Sequence, residues 1–179
     1  MLAAGRGQRM GADQTPKLLL PLRDGAPILA HAIRNLAALE PMEMIVVVRP
    51  DLNELSEAAM EAGKAKPTLN LRCVPNPRFA EGMGTSLAVG VAALSEGAKA
   101  VLVTLGDMPF VASGIIETLL TAYAREGKSI TMPMYGRAVG PPTIFDRSAF
   151  PDLMKLEGEA GGRQLLALYP NQACLVQFL

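Results

Sequence analysis

Two stretches, MIVVV at Met44–Val48 and AVLVTL at Ala100–Leu105, run apolar instead of alternating, the second broken only by Thr104. A strand of that kind has to be covered on both faces, and a parallel sheet flanked by helices provides the cover. The neighbouring segments supply the helices. Pro27, favoured at a helix start, opens helical spacing that continues to Leu39, and further helical patterns cover about Asn53–Ala62, Thr85–Leu94 and Ile115–Ala124. LRCV, SITMPM, TIF and ACLVQF read as shorter strands, and Ala149–Leu156 and Gly162–Leu168 as two late helical patterns. Met1–Ala4 reads as the stub of a strand, because glycine punctuation starts at Gly5. This alternation predicts the α/β class: one three-layer αβα, Rossmann-like domain over residues 1–179 with a mostly parallel sheet, its first strand and C-terminal tail both short.

Composition narrows the partners. Seventeen basic residues balance seventeen acidic ones, so the overall field attracts neither nucleic acid nor an anionic membrane, and any phosphate site has to be local. Cys73 and Cys174 stand in separate apolar contexts without metal-ligand spacing and read as buried apolar residues. No segment reaches the roughly 18 to 20 apolar residues that span a bilayer, and no secretory signal opens the chain. These features predict a reduced, cytoplasmic protein.

Ligands of such sheets bind beyond the carboxyl ends of the strands. Three loops fall there: GRGQRMG (residues 5–11), PNPRFAEGMG (75–84) and GDMP (106–109). The first lacks the Gly-Lys-Ser/Thr ending of an NTPase phosphate loop. Its Gly5, Gly7 and Gly11 are also one residue too widely spaced for a dinucleotide fingerprint, and the strand at Met44–Val48 ends in Arg49 instead of a ribose-binding acid. A third reading joins the loop to Lys17, as Leu-Ala-Ala-Gly-x-Gly-x-Arg-Met, a spacer and PKLLLPL.

In that form, and through NPRFAEGMGTSL, LVTLGDMP, GPPTIF and LEGEAGGRQLL in the same order, the chain resembles the molybdenum-cofactor cytidylyltransferases and guanylyltransferases. The resemblance implies a nucleotidyltransferase that moves CMP, in preference to GMP, from a nucleoside triphosphate to the terminal phosphate of the pterin cofactor, with Mg2+ and release of pyrophosphate. A molybdoenzyme or maturation factor would receive the product. Arg9, Lys17 and Asp107 are then the catalytic residues. Leu2, Ala3, Ala4, Gly5, Gly7, Arg9, Lys17, Gly82, Met83, Gly84 and Ser86 bind the nucleotide, and Asp107 with Glu159 holds the metal. Two segments depart from the pattern: AVGPP stands where relatives often have Arg-Gly-His/Asn-Pro, and GEAGGR where they have Gly-Asp-x-Gly-Ala-Arg, which ranks Glu159 and Arg163 below Asp107. Ala4 stands where guanylyl-transferring relatives have glycine, and its methyl group is expected to narrow the room beside the base, favouring CTP.

The residue chemistry agrees. Nucleotidyl transfer to a phosphate brings two anions together, so loop N–H groups and cations have to neutralise the triphosphate and the leaving pyrophosphate. Arg9 and Lys17 suit that task, while Arg6 and Arg78 read equally as solvated charges. Asp107, in a turn after a buried strand, is either a metal ligand or a cap for local backbone groups. Gly82 and Gly84 precede a helix start whose amides can face a ligand, or they are simply a glycine-rich helix entry. His31 reads as structural within a helical pattern. Two rival functions remain: a sugar-phosphate nucleotidyltransferase, and a noncatalytic nucleotide-binding or cofactor-insertion protein.

Overall fold

The all-apolar run Met44–Val48 forms strand β1, with all five residues buried. The computed structural model describes residues 1–5, 15–159 and 161–178. Strand β2 (Leu71–Pro75) lies parallel to β1, in register from Met44 opposite Leu71 to Val48 opposite Pro75. The first residues join this pair to the rest of the sheet. Leu2 bridges in parallel to Val47 on one side and to Leu105 on the other, donating its N–H to the Thr104 carbonyl, while the Ala3 N–H donates to Val47, each at 2.8 Å. The predicted stub is therefore a central rung.

Strand β3 (Ala100–Val103) continues the sheet. Next to it lies β6 (Thr143–Asp146), antiparallel to β3 and to β4 (Ile130–Tyr135), and β7 (Ala173–Phe178) runs parallel to β4. A two-residue strand, β5 (Ala138–Val139), folds back on β4 and carries no pattern long enough to read from sequence. Apart from β6 and β5, the strands share one direction, as expected, and their carboxyl ends share one edge.

Helices cover both faces. Helix α1 (Ile28–Ala37) and α2 (Asn53–Gly63) pack their buried Leu29, Ile33, Leu55 and Ala59 against Ala3, Val46 and Val48. Helix α3 (Met83–Ala92) lies on the other face, where Leu87 and Val91 join Val103, Met132 and Phe145 in the larger core with Phe150, Leu153 and Leu165. Helix α4 (Ser113–Glu126) packs on β4, β6 and β7. The two late patterns are shorter than their sequence spacing suggests. Helix α5 spans Phe150–Leu153 and α6 spans Gln164–Leu168, each entered through a 3-10 turn, Arg147–Ala149 and Gly161–Arg163. Pro27 caps α1 from just outside it, and α3 begins two residues before the predicted Thr85.

Candidate active site

The carboxyl edge of the sheet is built first by Gly106. Its N–H donates to the Leu2 carbonyl at 2.8 Å, and a Cβ there would lie 3.1 Å from Leu29, 3.3 Å from Leu18 and 3.4 Å from Ala3. The strand end is thus held against the first segment, and the turn that follows, closed by the Met108 N–H on the Leu105 carbonyl, carries Asp107 outward. Asn35 of α1 donates to the Pro109 carbonyl and fixes the far side of that turn. Lys17 opens a 3-10 turn, Lys17–Leu19, anchored by Leu18 and Leu19 in the α1–α2 core. These two constructions meet: Lys17 Nζ donates to Asp107 Oδ2 at 2.9 Å, with both side chains partly open to solvent.

The first segment contributes differently from its sequence reading. Ala4 is buried beside Ile45 and Val47, Ala3 is buried on the α1–α2 face, and Leu2 packs against both clusters on the opposite face. Their side chains belong to the core, and the Leu2 N–H and carbonyl and the Ala3 N–H are bonded within the sheet, so what this segment can offer a nucleotide is the backbone that follows. The expectation that the Ala4 methyl group narrows the space beside the base is corrected accordingly. Gly5 is exposed with open space around it, whereas Gly7 and Arg9, like Arg6, lie outside the described residues.

At the entry to α3 the glycines also have a different reason. Gly82 has φ +120°, a backbone that side chains avoid, and a Cβ on it would collide with the backbone of Gly158. A Cβ on Gly84 would come within 2.6 Å of the Glu157 carbonyl oxygen, and the Gly84 N–H donates to the Gly158 carbonyl at 2.8 Å. The room these glycines leave is filled by the 157–159 segment, not held open for a ligand. That docking brings Glu159 to the α3 entry, with its side chain exposed, while Met83 projects partly into solvent. Arg78 clamps the same junction, donating to Glu81 at 2.6 Å and to Glu157 at 2.8 Å, and these carboxylates, Glu81 foremost, raise its pKa. Arg163 donates instead to the Val139 carbonyl at 2.6 Å.

Ser86 is nearly fully buried, and its hydroxyl accepts a hydrogen bond from Asn76 Nδ2 at 2.9 Å; the same amide donates to Thr85 Oγ1 at 3.0 Å. Sequence reasoning missed Asn76. The Asn-Pro pair after a strand signals a turn, and the Asn76 Oδ1 does accept the Arg78 N–H, but nothing local announces that the side chain is fully buried.

Among the described residues no group of three or more His, Cys, Asp or Glu side chains could hold a metal. Magnesium does not require one, since it keeps several waters and commonly binds one or two carboxylates together with substrate phosphates. The hard oxygen donors of Asp107, on an exposed turn, fit an ion that arrives with a triphosphate. His31 pairs with Asp24 at 2.9 Å, a helix-to-loop contact. Burial pushes both thiols above their ordinary pKa, which disfavours a nucleophilic thiolate at neutral pH. A cavity of about 760 Å³ lies between α4 and β7, and none of its lining residues belongs to the predicted site. No described helix is long and apolar enough to cross a membrane.

Comparison with known proteins matches residues 1–174 to the MobA-like NTP transferase domain. The chain belongs to this family. The bifunctional protein GlmU of Dinoroseobacter shibae is 37% identical over 149 residues, covering 82% of this chain and 30% of that protein. The chain therefore spans about a third of the length of that curated relative. Rv0371c of Mycobacterium tuberculosis superposes with a TM-score of 0.75 at 27% identity, over 99% of this chain and 87% of that one, and it has also been crystallised as a manganese complex. Molybdopterin-guanine dinucleotide biosynthesis protein A of Archaeoglobus fulgidus shares the fold, with a TM-score of 0.62 at 16% identity over 98% of this chain and 80% of that one.

Proposed function

We propose that this MobA-like domain is a nucleotidyltransferase that uses CTP in preference to GTP and a phosphate-bearing pterin, the molybdenum cofactor, as acceptor. The observation that carries the reading is the meeting of Lys17 with Asp107 at 2.9 Å on the carboxyl edge of the sheet. A cation and a hard-oxygen metal ligand side by side suit a triphosphate with its magnesium ion. In the reaction an oxygen of the acceptor phosphate attacks the α-phosphorus, the bond to the β-phosphate oxygen breaks, and pyrophosphate leaves with that electron pair.

The acceptor phosphate is already a nucleophile, so the protein aligns the reactants and balances charge without a covalent intermediate. Lys17 and Arg9 neutralise the triphosphate, and the backbone of Ala4 and Gly5, with Gly7, follows its phosphates. The α3 entry at Gly82–Ser86 lies beside the base. Asp107 holds the metal, with Glu159 in support. The metal, when bound, supplies positive charge to the phosphate oxygens. The CTP preference rests on the Leu-Ala-Ala-Gly opening of the chain and not on a methyl group projecting into a pocket. Cytoplasmic placement and delivery to a molybdoenzyme or maturation factor follow from the same reading.

A second acceptor class has its own support, because GlmU shares 37% identity with this chain. Pyrophosphate release, measured with CTP and GTP against the phosphate-bearing pterin and against sugar 1-phosphates, tests both readings. Turnover with CTP and the pterin is expected. Turnover only with a sugar phosphate transfers the assignment to that class, and nucleotide binding without any turnover replaces it with a noncatalytic role.

A further inference from the structure

Asn76 is fully buried, and its backbone N–H, side-chain oxygen and side-chain nitrogen together join the end of β1, the loop after β2 and the first turn of α3. Its backbone N–H donates to the Val48 carbonyl at 2.9 Å, which references the residue to the end of β1. Its side-chain oxygen accepts the Arg78 N–H at 2.9 Å, folding the chain into the loop before α3. Its amide nitrogen donates to Thr85 Oγ1 and Ser86 Oγ, both in the first turn of α3. The Thr85 hydroxyl lies 2.9 Å from the Arg78 carbonyl and 2.9 Å from the Gly82 carbonyl.

The chemistry at this junction selects asparagine. A hydroxyl has a single proton, and that of Thr85 is committed to a carbonyl, so Thr85 can only accept from residue 76. The Arg78 N–H needs an acceptor on the same side chain. One planar group that donates twice on one side and accepts on the other meets both demands; a carboxylate of the same shape would present oxygen to a hydroxyl with no proton left to give. No side-chain cap closes α3 at Gly82; its first turn is held on one side by the Gly84 N–H on the Gly158 carbonyl and from below by what grips Thr85 and Ser86.

We propose that Asn76 is the positioning residue of the nucleotide site, holding the α3 entry at a fixed distance from the sheet edge that carries Lys17 and Asp107. It acts through Thr85 and Ser86 and touches no substrate. The inference rests on the reading of Gly82–Ser86 as the wall beside the base. It also reassigns Ser86, whose hydroxyl serves the scaffold and not the ligand.

The test combines CTP binding with Mg2+ by calorimetry, steady-state kinetics and thermal unfolding, on Asn76→Asp, Asn76→Ala, Ser86→Ala and the double variant Asn76→Ala/Ser86→Ala. Loss of the amide donors is expected to weaken CTP binding and raise the CTP KM by about tenfold, the equivalent of one or two hydrogen bonds. The acceptor KM should stay unchanged, and kcat should recover at saturating CTP. Ser86→Ala should move the same parameter in the same direction by less, and the double variant should be little worse than Asn76→Ala. Should the Asn76 variants not fold, Ser86→Ala alone decides by the same criterion. Lowered thermal stability with unchanged CTP affinity overturns the proposal, as does a parallel loss of CTP affinity, acceptor affinity and kcat. Unaltered protein that binds CTP without turning over defeats the transferase reading and leaves the positioning role standing; unaltered protein that binds no nucleotide defeats both.

Discussion

Lys17 and Asp107, ninety positions apart in the chain, are joined by a 2.9 Å hydrogen bond from the ammonium to Oδ2 of the carboxylate. An ammonium so close to the carboxylate would weaken its hold on a second cation, and a triphosphate would offer the lysine another partner. Lys17→Ala is expected to tighten Mn2+ binding in the absence of nucleotide by about two- to fivefold, the range open to an exposed ion pair, while weakening CTP binding and turnover. Asp107→Ala should lose Mn2+ binding and the dependence of turnover on magnesium. Electron paramagnetic resonance titration of Mn2+ with each variant reads this directly, and unchanged Mn2+ affinity in both variants removes Asp107 as the ligand.

Gly84 is pressed against the Glu157 carbonyl oxygen, which a Cβ would approach to 2.6 Å. The neighbour is backbone and cannot swing aside as a flexible side chain would. Gly84→Ala should therefore lift the 157–159 segment off α3, cost about 1 to 3 kcal/mol of stability and weaken nucleotide binding with it. Urea unfolding together with CTP titration checks both effects, and a variant as stable as the parent contradicts this packing.

Tyr123 of α4 donates to Asp146 Oδ2 at 2.6 Å, tying the helix to the end of β6. The bond holds the Asp146 carboxyl below its ordinary range, while burial, followed by Asp146 itself, pushes the Tyr123 phenol up to about 12. A depressed carboxylate adds stability above its unfolded pKa and loses it as pH falls through the folded value; a raised phenol adds stability below its unfolded pKa and loses it as pH rises toward the folded value. The pair is whole between roughly pH 5 and 10. Tyr123→Phe should cost about 1 to 2 kcal/mol at pH 7, and the difference should fade as pH falls through the lowered pKa of the Asp146 carboxyl. A difference that does not change with pH would assign the effect to packing.

Thr131 lies within β4, fully buried, and its hydroxyl has no hydrogen-bond partner among the described residues. Valine has the same branched shape without the polar atom, and strands favour it. Thr131→Val is expected to stabilise the fold by about 1 kcal/mol, read as a higher urea midpoint with an unchanged slope. A destabilised variant would mean that the hydroxyl has a partner, such as a buried water.

The sequence by itself determined the elements and the edge on which they present their loops. MIVVV and AVLV are apolar at every position because both faces of those strands are covered, and that requirement is written locally, residue by residue. The same holds for the helical spacing of α1 to α4, and the strand pattern put the Asp107 turn on the carboxyl edge; Lys17 joins that edge in sequence only through the resemblance carried by the first loop and PKLLLPL. Only the tertiary structure decided that β6 enters the sheet reversed between β3 and β4, because strand order depends on partners distant in the chain. It alone showed that the Ala4 methyl group faces the core, since an apolar residue at a strand end can turn either way. Gly82 and Gly84 read in sequence as the entry to a helix whose amides can face a ligand; a missing side chain says only that something comes close, and here it is the backbone of residues 157–159. Asn76 could not be found locally at all, because a buried amide is distinguished from a solvated one only by the Thr85 and Ser86 hydroxyls that the fold brings to it.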